Sequence, residues 1–127
     1  MILGLGLDVV ELPRIRESME RFGARFAERL LTPEEAAAMP KGDATAFVAA
    51  RFAAKEACAK ALGTGFADGV TMHNIEVRSL PSGAPTLLLS GRARELAEAL
   101  GAQRLHLSLT HGRDVAAAVV ILEGSPL

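Results

Sequence analysis

Large apolar residues alternate with glycine or an acid over residues 2–10. Leu3, Leu5, Leu7 and Val9 fall on one face; Gly4, Gly6 and Asp8 fall on the other. That period of two predicts a strand. Pro13 suits the first turn of a helix running to about Phe22, and Gly23 interrupts it before a shorter helical piece over 24–30. Thr32-Pro33-Glu34-Glu35 is a helix-start signal with Thr32 as N-cap, and Pro40 and Gly42 keep that helix short. From Asp43, read as an N-cap, to Leu62 the pattern is helical and alanine-rich, and Gly63-Thr64-Gly65 closes it. Residues 75–80 and 86–90 read as a hairpin around the turn at 81–85. Residues 92–100 form an amphipathic helix ended by Gly101, and 104–111 and 115–122 are two final strands. Strands paired largely as hairpins, with helices to one side, predict an α+β fold. Its mainly antiparallel sheet packs against helices, one of them long, in a single domain over 1–127.

Composition narrows the function classes. Half of the 127 residues are hydrophobic and 23% are charged, which is globular and not disordered. A formal net charge of -1 exerts no general pull toward nucleic acid or membrane. With no Trp or Tyr, the chain lacks the usual stacking platforms for single-stranded nucleic acid. Cys58 is the only cysteine, so an intramolecular disulfide and a thiolate metal cluster are excluded; it reads as a small core residue. The N-terminus has no basic leader and reaches an acid at Asp8, and no apolar run is long enough to cross a bilayer. A cytoplasmic location is expected. A chain this short buries limited surface, which favours an oligomer with its site across a subunit interface.

Candidate chemistry concentrates in Arg51-Phe-Ala-Ala-Lys-Glu-Ala-Cys-Ala-Lys-Ala-Leu-Gly-Thr-Gly65. On a helix, Phe52, Glu56, Lys60 and Gly63 lie on nearly one line, with Arg51 and Lys55 on an adjoining one. Glu56 and Lys60 could form a solvated i,i+4 pair. Alternatively the cluster, running into small residues with exposed amides, holds a phosphate with a metal ion. It is not a P-loop, because the glycines end a helix instead of opening one. Asp8 reads either as a cap for the helix at Pro13 or, with Glu56, as half of a Mg²⁺ site of the kind completed by substrate phosphates. His111 ends a strand on its leucine face, and spacing alone is equally consistent with an ordinary packed or surface residue. Arg14, Arg16, Arg21, Arg25 and Arg29 form a basic series. If one helix spanned Gly23, Arg14, Arg21 and Arg25 would share a narrow stripe suited to an acidic partner protein; otherwise they form a solvated face.

Together the segments resemble the short 4′-phosphopantetheinyl transferases of the holo-acyl-carrier-protein synthase type. The resemblance rests on residues 4–15, on Leu31-Thr-Pro-Glu-Glu35, and above all on Arg51-Phe-Ala-Ala-Lys-Glu-Ala57 with Lys60-Ala-Leu-Gly-Thr-Gly65. His73-Asn-Ile-Glu-Val77, Gly83-Ala-Pro85 and Ser108-Leu-Thr-His111 also match, in order. The resemblance implies the 4′-phosphopantetheinyl transferase fold. It also implies transfer of the 4′-phosphopantetheine arm of coenzyme A to a serine of apo acyl carrier protein, in support of fatty acid biosynthesis. Asp8 and Glu56 would be Mg²⁺ ligands, and Lys60 would contact the pyrophosphate. Arg51 and His111 would contact the adenosine phosphate end of coenzyme A. Gly63 and Gly65 would shape its groove, and Pro85 would belong to the adenine pocket. Arg14, Arg21 and Arg25 would dock the carrier. Glu56, directly or through a water, is the expected base for the serine proton. Similar enzymes form homotrimers with each site between two subunits.

The chain departs from the family pattern in three places. Ala50 stands where Gly often precedes the Arg-Phe-Ala motif, and Gly112 where a hydroxyl residue often follows the histidine. Where some members carry a base early in the long helix, this chain offers Asp43 and Thr45, with Lys41 nearest. A binding protein without transferase activity would be expected to lack Asp8, Glu56 or Lys60; all three are present. A Mg²⁺-dependent phosphohydrolase is the other alternative.

Overall fold

The computed structural model describes residues 1–126. Strand β1 (Ile2–Glu11) leads into helices α1 (Leu12–Phe22), α2 (Ala24–Leu30) and α3 (Pro33–Ala37), then the long helix α4 (Thr45–Ala61). A single 3₁₀ turn (Met72–Asn74) precedes the hairpin β2 (Ile75–Ser79) and β3 (Pro85–Leu89). Helix α5 (Gly91–Leu100) and strands β4 (Arg104–His111) and β5 (Val115–Glu123) follow. The strands form two antiparallel units: a three-stranded sheet in the order β1-β5-β4 and the separate β2-β3 hairpin. The α+β expectation holds, with helix α4 against one face of the larger sheet.

The alanine content of α4 follows from how close that sheet lies. Val48, Ala49, Ala53, Ala54, Ala57 and Cys58 are wholly buried, so the helix is packed on most of its circumference. Strand β1 meets it through glycine: a Cβ on Gly6 would lie 1.8 Å from the Ala57 carbonyl oxygen, and one on Gly4 2.1 Å from that of Ala61. The bare face of β1 thus makes room for a chain element. The leucine face of the same strand points outward, with Leu5, Leu7 and Val9 61%, 58% and 59% exposed. In register beside them on β5 lie Ile121, Val119 and Ala117.

Two local expectations change. Ala44, not Asp43, occupies the N-cap position of α4. The Asp43 carboxylate still accepts from the Thr45 amide (3.0 Å) and hydroxyl (2.6 Å), so it caps from one residue further out. Gly23 adopts φ +57° and separates α1 from α2, so no continuous helix carries Arg14, Arg21 and Arg25 on one stripe. The capping box at Thr32 forms in both halves.

Candidate active site

The crossing of β1 over α4 brings Asp8, Glu56 and Lys60 together. The Lys60 ammonium donates to Asp8 Oδ1 at 3.1 Å and to the Leu7 carbonyl at 3.0 Å, across more than fifty residues of sequence. Asp8 therefore does not cap α1, whose N-terminus has no side-chain cap. Nor does Lys60 pair with Glu56 on a solvated face. The Glu56 carboxyl is raised above its ordinary range, first by burial and then by the charge of Asp8, with Lys60 opposing. A half-buried Glu56 carboxyl beside the charge of Asp8 makes a site in want of positive charge. Among the described residues no cluster of three or more His, Cys, Asp or Glu could hold a metal. The Asp8–Glu56 pair nonetheless fits Mg²⁺, which commonly takes one or two protein carboxylates and completes its shell with water and substrate phosphate.

Helix α4 ends at Ala61, one residue beyond Lys60. Gly63 and Gly65 take φ +87° and +60°, where a side chain would be strained, so the backbone turns sharply beside the ammonium. The Gly65 amide closes back on the Ala59 carbonyl at 3.1 Å.

Lys55 points the other way. It is fully buried and paired with Glu35 at 2.7 Å, a structural partnership between α4 and α3. Arg51, one turn earlier, lies with its guanidinium 3.8 Å from the centre of the Phe47 ring. It lines a cleft with Glu34, Glu35, Phe47, Arg78 and Ser79. Pro85 is the cross-strand partner of Ser79, one of the residues lining that cleft. His111 is exposed at the end of β4, opposite Ala116. The candidate residues thus divide: Asp8, Glu56 and Lys60 form one group, and Arg51 lines a cleft on another side of α4. Glu35 and Phe47 were not singled out from sequence. The sequence marks Glu35 as half of the Thr32 capping box and as part of the Leu31-Thr-Pro-Glu-Glu35 motif, and nothing in the pattern ties it to Lys55 twenty residues on.

On α1 and α2, Arg14, Arg21 and Arg25 are exposed and form no salt bridge among the described residues, whereas Arg16 reaches Asp43 at 3.9 Å. Phe22, Arg25, Phe26, Arg29 and His73 line a shallow groove beside them.

Comparison with known proteins bears on this geometry. The family model of the 4′-phosphopantetheinyl transferase superfamily matches residues 4–120. The chain is 55% identical over 123 residues to the holo-[acyl-carrier-protein] synthase of Maridesulfovibrio salexigens, covering 97% of this chain and 99% of that one. Its fold superposes on the crystal structure of that synthase from Neisseria meningitidis with a TM-score of 0.88. Identity is 41%, with 97% of this chain and 99% of the other covered. The Helicobacter pylori synthase, solved in complex with coenzyme A, gives a TM-score of 0.83 at 33% identity, with 94% and 99% covered.

Proposed function

The chain belongs to the 4′-phosphopantetheinyl transferase superfamily, and from that membership we propose that it transfers the 4′-phosphopantetheine arm of coenzyme A to a serine of apo acyl carrier protein. The products are holo acyl carrier protein, for fatty acid biosynthesis, and adenosine 3′,5′-bisphosphate. The meeting of Asp8, Glu56 and Lys60 at the glycine exit of α4 is the observation that carries this reading. Glu56, directly or through a water, accepts the serine proton, from a position beside Asp8 where burial and that neighbouring charge raise its carboxyl pKa. Lys60 is half exposed and held in place by Asp8 and the Leu7 carbonyl, so its ammonium is aimed before substrate arrives. It donates to the pyrophosphate and stabilises the charge that develops as the nucleotide leaves. Asp8 and Glu56 would hold Mg²⁺, which when bound neutralises pyrophosphate charge.

Arg51, with His111, takes the phosphate of the nucleotide end, and Pro85 borders the adenine; Gly63 and Gly65 let the pantetheine–pyrophosphate segment lie close to backbone. The separation of the Arg51 cleft from the Asp8–Glu56–Lys60 group supports a site assembled between copies of the chain. The outward leucine face of β1 supplies the contact surface for a homotrimer. Arg14, Arg21 and Arg25, without carboxylate partners among the described residues, dock the acidic carrier. No helix among the described residues is long and apolar enough to cross a membrane, and the proposed location is cytoplasmic. Release of adenosine 3′,5′-bisphosphate, followed with Mg²⁺ and coenzyme A, tests the reading. Release that needs the carrier's acceptor serine supports transfer. Equal release with a carrier whose serine is replaced by alanine points to hydrolysis instead.

A further inference from the structure

Arg51 and Lys55 lie one turn apart on α4, and Glu35 acts electrostatically on both. Only one of them takes it. All three donors of the Lys55 ammonium are used: Glu35 Oε1 at 2.7 Å and the carbonyls of Met72 at 2.9 Å and Ile75 at 2.6 Å. The carboxylate of Glu35 is equally committed, with Oε1 also accepting from the Thr32 amide and Oε2 from that of Val77. Arg51 is left without a carboxylate partner among the described residues, although Glu34 and Glu35 line the same cleft. Its Nε is buried and makes no hydrogen bond. Arg78, the other guanidinium on the cleft, is engaged by Glu76.

We propose that Lys55 is a positioning residue for coenzyme A: by occupying Glu35 it keeps the Arg51 guanidinium free for the phosphate of the nucleotide end. A buried carboxylate stripped of its cation is strongly penalised. Without Lys55, Glu35 would draw in the nearest unpaired cation, Arg51, and the phosphate would then have to break an ion pair to bind. The inference rests on the reading of Arg51 as a phosphate contact.

The test compares coenzyme A with 3′-dephospho-coenzyme A in steady-state transfer, reading the KM of the dephospho compound divided by that of coenzyme A. Lys55→Met lowers that ratio by about tenfold, the size of one charge-assisted hydrogen bond, while kcat with coenzyme A changes little. The double variant Glu35→Gln/Lys55→Met restores the ratio, because no buried carboxylate remains to capture Arg51. A merely structural ion pair would affect both substrates alike and would not be rescued. The inference is overturned if Lys55→Met keeps the original ratio, or if the double variant leaves it lowered. Should Lys55→Met not fold, Glu35→Gln alone decides: a retained ratio supports the inference and a lost one overturns it. Arg51→Met separates the two claims. If it leaves the ratio unchanged, the reading of Arg51 fails and the inference with it. If it collapses the ratio while Lys55→Met does not, only the inference fails.

Discussion

Glu56 carries two opposing demands at one position. In the proposed role of base for the carrier's serine, its replacement by glutamine should lower kcat by about 10²–10⁴-fold, with coenzyme A still bound, as isothermal titration would record. The same change affects stability in the other direction. Burial and Asp8 raise the Glu56 carboxyl pKa, so the folded chain holds that proton more tightly than the unfolded chain. Its contribution to stability is therefore full below the ordinary carboxylate range and is lost as pH rises through the raised pKa. Glu56→Gln, always neutral, melts higher than the parent at pH 7 in metal-free buffer. The advantage shrinks as the pH is lowered into the acid range, and paired thermal melts across pH check the trend. A variant with full kcat and unaltered binding would remove Glu56 from the base role.

At the scale of elements, the strand–helix contact through glycine positions the chemistry. A methyl group on Gly6 cannot coexist with the Ala57 carbonyl at 1.8 Å, so Gly6→Ala pushes β1 off α4. Over-packing of this kind costs roughly 1–3 kcal/mol or more, and it carries Asp8 away from Lys60. Chemical denaturation should show the stability loss, and transfer assays a larger loss of kcat than of binding. Helix α1 makes a different prediction. Arg21→Glu reverses one charge on the proposed docking surface; the KM for carrier should rise about fivefold or more at low salt, and the effect should fade as salt screens it. An unchanged KM would place docking elsewhere.

Much of this level was legible in the chain. The alternation in β1, the capping box at Thr32, and the glycines ending α4 and α5 are local rules, and the elements follow them to within a residue or two. What alternation could not tell is which face of β1 is inward. The leucines look like core, yet the glycine face is buried because a helix backbone needs the space. The ion pairs were illegible for a related reason. Lys60–Asp8 and Lys55–Glu35 join residues far apart in sequence, and helical spacing alone would pair Lys60 with Glu56. The family resemblance grouped Asp8, Glu56 and Lys60, but only the fold separates the jobs of the two lysines.

For the whole molecule, the outward apolar face of β1 is the feature that a lone chain leaves unexplained. Burying Leu5, Leu7 and Val9 between copies would remove large apolar side chains from water, each worth about 1.5–3 kcal/mol when fully covered. If the proposed trimer forms through this face, Leu7→Glu, on an exposed position, should leave the monomer folded but shift sedimentation from trimer to monomer and take transfer activity with it. A monomeric parent with full activity would contradict a shared site. The central claim is transfer itself. Its most direct measurement is the intact mass of an apo acyl carrier protein after incubation with the chain, coenzyme A and Mg²⁺. The account predicts a gain equal to one phosphopantetheine on the acceptor serine, abolished in Glu56→Gln at matched times. A carrier of unchanged mass, whether coenzyme A is cleaved or intact, would contradict it.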